Sequence, residues 1–539
     1  MTHLLAALDT IAPKQNRCGV LFHGEGVPQW AQKSVRRLAT LLGQENVFYF
    51  SASHGDVTEK ISALHLDFIF NLGVSGPMAW LSLLPYGVWS YRFGPRHESE
   101  SSNDGSLFGI GELWRGSPIQ EVRLESISPH GVITVLKSGK FRCILHSVAQ
   151  HRTSILAQCY DWPAQIALEL VDRGVVSGVR ELGLCMTRRP QNSRRWVAVL
   201  LPVLLAFRKM VHLAKLAKRF FLYSQWNIGM VRDGLSGLLK KGQALDVDWF
   251  LDVRWPLFYA DPFLTSHEGN KYVFAERYDF TKARGAIAVL PLTEGRYDEK
   301  RDVALEFPFH TSYPCLVKDA ERLYCVPETL ARKEIAIYRC EKFPRVWQKV
   351  GVVVQGDRYS DPTLFQYGGR WWVFATIFDE YSEGNSVLHA WHATRIGGPW
   401  TPHLKNPIKC DVSSSRSAGS VFSHQGHLFR PAQDCATSYG QSIVIQKIVQ
   451  LTCEEFREEF FHRVSPTKDY PESCHHMSML DGLVFVDGRR ELFSLSAMTF
   501  RVKRAAANIV SRWSRAAETK VRPFPLRLET AFASRSAPF

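Results

Sequence analysis

Between Tyr259 and His476 one short pattern returns at a spacing of about fifty residues, an interval that leaves a chain few folds to choose from. The units open Tyr259-Ala260-Asp261-Pro262-Phe263, Ser312-Tyr313-Pro314-Cys315-Leu316 and Ser360-Asp361-Pro362-Thr363-Leu364. Each passes through a Gly- or Asp-bearing turn into an aromatic strand: Lys271-Tyr272-Val273-Phe274, Leu323-Tyr324-Cys325-Val326 and Arg370-Trp371-Trp372-Val373-Phe374. Looser copies begin at Ser417-Ala418-Gly419-Ser420-Val421-Phe422 and His475-His476-Met477-Ser478-Met479. Five such units predict a five-bladed β-propeller, whose inner strands begin around one axial funnel. Carboxylates that are distant in sequence would then meet in one pocket.

The chain has 539 residues, more than one ordinary domain, and a formal net charge of +14. Much of the positive excess lies in residues 187–241 and after Arg489, outside the repeats. A basic stripe between domains fits an acidic surface, lipid headgroups or a phosphate-bearing substrate. No nucleic-acid-binding signature accompanies it, so no nucleic acid partner is expected. The 11 cysteines are single and odd in number, which predicts buried free thiols in a reducing compartment. The first 25 residues lack an uninterrupted apolar core. The expected location is therefore cytoplasmic, or peripheral to the inner face of the membrane.

Residues 1–186 alternate strands (18–22, 46–50, 67–71, 88–91) with helical stretches such as 29–42, predicting an open α/β sheet. Residues 187–246 form a basic connector. Its segment 196–223 carries the pattern of an amphipathic helix, which fits either an anionic membrane surface or an interdomain bridge. The propeller is placed at 247–495 and a basic tail at 496–539.

The order FNLGVSGPMAW, LPYGVWSYRFGPRHES and GELWRGSPIQEVRLESISPHGVITVL resembles the formyltransferase fold of methionyl-tRNA and sugar-nucleotide formyltransferases. That family transfers formyl groups with an Asn, a His two residues on, and an Asp. The corresponding positions here are Ser90, Arg92 and Pro129, none of which can handle the proton. The resemblance thus implies a formyltransferase-like domain that has lost its activity. Active formyl transfer is the least favoured reading.

The strings YADPFL, KYVFAER, HTSYPCLV, LYCVPET, SDPTLF, RWWVFAT, SRSAGSVF and LFRPAQDCATSYG are similar to two related groups. One is the glycoside hydrolase family 43 propeller. The other is the N-terminal domain of plant glucosamine inositolphosphorylceramide transferases. The resemblance to family 43 implies that Asp261 is the base and that Asp361 tunes or orients. Glu276 and Glu328, at the ends of second strands, complete the expected catalytic set. Where family 43 places its general-acid Glu, this chain offers Arg416, Arg430, Gln433 and Asp434. These, with His475 and His476, are the expected substrate-binding residues, the arginines suiting a phosphate or carboxylate. A His pair with no third ligand at metal spacing predicts no metal. Trp371, Trp372 and Trp400 read as blade core. A single Asp246-Val247-Asp248 triplet carries no argument.

The resulting expectation is sugar transfer at the funnel, in envelope glycan or glycolipid biosynthesis. The substrate would be a carbohydrate or sugar phosphate, and a sugar-nucleotide donor the one cofactor-like ligand. A glycoside hydrolase of the propeller type and a non-catalytic glycan-binding scaffold remain alternatives.

Overall fold

The structure is a computed structural model that describes residues 20–23, 47–50, 69–71, 84–94, 109–128, 130, 132–173, 180–182, 194–240, 245–250, 253–293, 296–297 and 302–504. The expected helix at 29–42, Pro129 and most of the tail lie outside these residues.

Five antiparallel sheets account for the repeats. Blade one comprises Leu257–His267, Asn270–Asp279, Arg284–Thr293 and an outer edge shared by Arg296–Tyr297 and Asp302–Leu305. Blade two comprises Ser312–Asp319, Arg322–Glu328, Glu334–Lys342 and Val346–Gln355. Blade three comprises Tyr359–Tyr367, Arg370–Ile377 and Val387–Ala393, edged by Thr401–Pro402 and Lys409–Cys410. Blade four runs Phe422–His424, His427–Asp434, Ser442–Leu451 and Phe456–Val464.

Blade five departs from the expected boundary. Its inner strands Met477–Leu480 and Leu483–Phe493 are completed by Leu222–Val231 and Val247–Trp249, from the start of the propeller's chain. Phe485 pairs with Met230 and the register runs on to Phe493 with Leu222. The connector expected over 187–246 therefore holds a helix, Arg194–Phe221, followed directly by a blade strand. Borrowing strands from the other end of the chain closes the ring without leaving the last blade an open edge.

Two local features repeat. Four first hairpins turn through Glu268-Gly269, Gly368-Gly369, Gln425-Gly426 and Asp481-Gly482, all at positive φ. This is the two-residue turn whose twist matches the strands. The second feature places the site. Asp261, Tyr313 and Asp361 adopt φ of 53°, 46° and 48°, and the register slips there, between Ala260/Phe263, Ser312/Cys315 and Ser360/Thr363. A bulge at the same point of three inner strands re-aims the side chain.

Apolar seams fill the spaces between blades. Phe274, Tyr324, Val373 and Trp371 belong to one, and Phe365, Trp372 and Ile448 to the next. Phe429, Ile443 and Val484 fill a third, and Ile228, Tyr259 and Phe485 close the ring. Of the tryptophans expected as blade core, Trp371 and Trp372 are buried and Trp400 packs, partly buried, against the seam that holds Trp371. Nine cysteines among the described residues are free.

The N-terminal region is mixed α/β. Val20–His23 pairs in parallel with Val47–Phe50. A second sheet orders Ile69–Asn71, Val88–Phe93, Ile119–Ile127, Ile133–Arg142 and Arg180–Leu182, and only its first pairing is parallel. The core of this sheet, with Trp89, Leu124, Phe141 and Trp162, also takes in Val387 and Cys410 of blade three. The domain is thus packed on the propeller rather than tethered to it.

Candidate functional site

The bulges and the second-strand ends bring together five carboxyl groups: Asp261, Glu276, Glu328, Asp361 and Asp487. All five are buried. Ala260 pairs with Glu276 and Ser312 with Glu328, so each of these glutamates lies across the ladder from a bulge. Asp487 belongs to the same register in blade five, its N–H bonded to the His476 carbonyl at 3.2 Å. Glu276 has room because residue 285, opposite Tyr278 on the neighbouring strand, is glycine: a Cβ there would come within 2.7 Å of Glu276 Oε1.

Two cationic side chains answer the five acids. Arg416 grips Asp361 with Nε donating to Oδ2 at 2.6 Å and Nη2 to Oδ1 at 3.2 Å. It also lies 3.7 Å from Glu328 and its Nη1 donates to the Glu383 carbonyl and Asn385 Oδ1, each at 3.4 Å. Gln433 Nε2 adds a 2.7 Å bond to Asp361 Oδ2. His475 lies between two acids, Nδ1 at 2.6 Å from Asp487 Oδ2 and Nε2 at 3.6 Å from Asp261 Oδ1. The Trp226 ring lies tilted against His475 at 4.2 Å, and Tyr439 meets both the His475 ring and the Arg416 guanidinium.

Backbone donors stitch the blades to these acids. Tyr313 N–H donates to Asp261, Asp361 N–H to Glu328, and Asp261 N–H to Asp487, at 3.2, 3.0 and 3.3 Å. Asp487 also accepts from the N–H groups of His475 and His476.

Burial divides the protonation states. Desolvation first, then Asp361, pushes Glu328 up to about 8, against the pull of Arg416. Asp261 is raised to about 7 by burial, with His475 opposing and Asp361 adding. Glu276 rises well above the carboxylate range for the same leading reason, reinforced by Asp261 and Glu328. Burial would raise Asp487 and lower His475, but their 2.6 Å contact reverses both directions. The set therefore holds protonated and ionised carboxyls side by side, the arrangement that acid–base chemistry requires.

Of the expected residues, Asp261, Asp361, Glu276, Glu328, Arg416, Gln433 and His475 converge. Arg430 and Asp434 do not. Strand His427–Asp434 alternates faces, so Gln433 points inward while residues 430 and 434 point away. Arg430 is instead bound to Glu458 at 2.6 and 2.9 Å and to the Ser415 carbonyl, beside Lys409. Asp434 pairs with Arg463 at 2.6 Å. His476 is an apolar spacer: its ring stands edge-on to Phe263 and Tyr313, and burial drops its pKa to about 3. Asp487, Trp226 and Tyr439 were not anticipated. Asp246 and Asp248 lie at the outermost strand of blade five and pair with Arg232.

Asp261, His475 and Asp487 each offer a ligand atom, all within 4.8 Å, and form the one trio with metal-like spacing among the described residues. The His475–Asp487 contact makes the trio equally a histidine oriented by one acid toward another.

At the mouth, a cavity of ≈ 350 Å³ is lined by Lys282, Ala283, Arg284, Pro308, Phe309 and His310. His310 Nε2 is 3.8 Å from Glu276 Oε1, and Arg332 lies over the Phe309 ring at 5.4 Å. The acidic floor thus has Lys282 and Arg284 at its rim, the arginine also paired with Glu306 at 2.7 Å.

Residues 252–469 match the family model described as glucosamine inositolphosphorylceramide transferase 1, N-terminal. The rice (Oryza sativa subsp. japonica) protein named glucosamine inositolphosphorylceramide transferase 1 is 37% identical over 205 residues, 37% of this chain and 27% of the relative. The Arabidopsis thaliana protein of that name is 31% identical over the same shares. The chain spans about a quarter of the length of these relatives. Among solved structures, the family 117 glycoside hydrolase Zg3597 of Zobellia galactanivorans aligns at TM-score 0.34 and 12% identity, covering 49% of this chain and 91% of that one. A Cellvibrio cellulosa alpha-L-arabinanase with arabinohexaose aligns at 0.30 and 14%, covering 38% and 77%. The family match includes six of the converging residues and ends before His475 and Asp487.

Proposed function

We propose that the propeller funnel is a sugar-transfer site acting in glycan or glycolipid assembly. The single observation that carries the reading is the Glu328–Asp361–Arg416 group beside Asp261. It pairs a carboxyl held protonated near neutral pH with one poised at about 7. Glycosyl transfer uses such a pair: Glu328 gives its proton to the departing oxygen while Asp261 takes one from the incoming hydroxyl. Arg416 and Gln433 fix Asp361, and His475, backed by Asp487, fixes Asp261.

The names of the plant relatives support a sugar and an inositolphosphorylceramide-like acceptor. The basic rim supports a phosphate on one of the two substrates, a nucleoside diphosphate on the donor being the natural case. Five acids against two cations leave the floor unsuited to bare phosphate, so the sugar lies deep and the phosphate at Lys282 and Arg284. Hydrolysis is the second reading, with water in place of the acceptor. The family match at residues 252–469 favours transfer.

The N-terminal region, read as a formyltransferase-like domain without its chemistry, serves this site as a brace. Gln158 accepts from Ser386 Oγ and Ser154 donates to the Tyr381 carbonyl, at the ends of the loop that supplies Glu383 and Asn385 to Arg416. Arg92 faces Glu125 at 3.4 Å, an ion pair in place of a proton relay.

A thermal-shift panel of free sugars, sugar 1-phosphates and nucleoside diphosphate sugars tests the proposal. A bound donor raises the melting temperature by mass action. The expected result is stabilisation by at least one nucleoside diphosphate sugar, lost in Lys282→Ala/Arg284→Ala. Stabilisation by none of them, with oligosaccharides alone effective, would favour the hydrolase.

A further inference from the structure

The helix Arg194–Phe221 carries a second surface, unrelated to the funnel. Its contacts follow one stripe. Leu201 is buried, Leu204, Leu205, Arg208 and His212 are half-buried, Arg208 donates to the Leu113 carbonyl, and His212 stacks on His146. At 100° per residue, Val199, Val203, Phe207, Met210, Leu213 and Phe221 fall on the opposite side. They are exposed: Val203 by 67%, Met210 by 63%, Phe207 by 57% and Leu213 by 54%. From Leu213 to Phe221 every residue is exposed, this half being held at Lys218 by Glu491 and at the Arg219 and Phe220 carbonyls by Arg501. An interdomain bridge would have buried the apolar side and shown the polar one. Here three leucines are covered, but a second apolar side is left exposed.

Charge says what covers the face. The helix contains seven Lys or Arg and no acidic residue. Lys209 and Lys218 flank the apolar side. A second helix beginning at Leu495 joins it, because Arg501 Nη1 donates to the carbonyls of Arg219, Phe220 and Leu222 at 2.6, 2.9 and 2.8 Å. This helix adds Lys503 and Arg504, with Leu495 and Val502 exposed on it and Phe493 exposed just before it. No described helix is long and apolar enough to cross a membrane. An outward apolar stripe with cations beside it instead lies in the headgroup layer.

We infer that these two helices dock the protein on an anionic lipid surface. Because the long helix runs into Leu222–Val231 without a linker, and Lys218 binds Glu491 at 3.1 Å, docking holds blade five at a set height and tilt. The inference does not depend on the chemistry of the funnel.

The test is flotation of the full chain with phosphatidylcholine vesicles, with and without phosphatidylserine, at low and high salt. Binding should require phosphatidylserine and weaken with salt. Met210→Asp/Leu213→Asp and Lys209→Ala/Lys218→Ala should each reduce it about tenfold or more with little change in melting temperature, since these residues are exposed and the Lys218–Glu491 pair lies at the surface. Equal recovery in the soluble fraction with both vesicle types would overturn the inference. So would a wild-type dimer that Met210→Asp/Leu213→Asp makes monomeric, since the face would then belong to a second copy. Binding that appears only after removal of residues 505–539 would likewise overturn it, assigning the face to that segment.

Discussion

Arg416 and Asp361, 55 residues apart, are joined by a two-point contact of 2.6 and 3.2 Å in the floor of the funnel. A lysine cannot span both oxygens. Arg416→Lys should therefore lower stability by about 2–4 kcal/mol and activity by about a hundredfold. Chemical denaturation and transfer assays on the same preparation check both numbers.

Glu328 supplies a pH signature. A carboxyl whose folded pKa is raised stabilises fully below its ordinary 4.5, and that contribution is lost as pH climbs to about 8. Glu328→Gln keeps the shape and cannot ionise. Its stability relative to wild type should be flat below pH 4.5 and rise between there and pH 8, by up to about 5 kcal/mol. A difference independent of pH would mean that folding leaves the Glu328 carboxyl at its ordinary pKa.

Blade five tests the ring closure. Gly229 pairs with Trp249, and a Cβ there would come within 2.5 Å of Val247 Cγ1 and 2.8 Å of the Asp248 carbonyl. Gly229→Val should cost about 3 kcal/mol or more in unfolding measurements. A connector outside the propeller would tolerate it.

Arg430 separates support from chemistry. Arg430→Leu leaves buried Glu458 with only Lys409, which should cost about 3–5 kcal/mol. Activity per folded molecule should remain at wild-type level, unlike that of Arg416→Lys.

The legible parts of the site were those the repeat carried. Asp261 and Asp361 share a position in their blades, as do Glu276 and Glu328, and a propeller turns shared positions into neighbours. Asp487 was legible by the same rule: Val484-Phe485-Val486-Asp487 repeats Val273-Phe274-Ala275-Glu276. Strand alternation could likewise have separated Gln433 from Arg430 and Asp434. Trp226 could not have been found this way, because its strand reaches blade five from the far end of the propeller's chain. The long helix was visible as a pattern, but which of its sides the domains cover is a matter of packing alone.

Sugar transfer itself is the most direct test. Wild type, Asp261→Asn and Glu328→Gln are incubated with nucleoside diphosphate sugars and a lipid extract rich in inositol phospholipids, and lipid masses are recorded. The account predicts that wild type adds one sugar residue to a lipid. Both variants should fail to do so while melting at or above the wild-type temperature at pH 8. Transfer that survives in both stable variants, or wild type that adds no sugar from any donor, would contradict it.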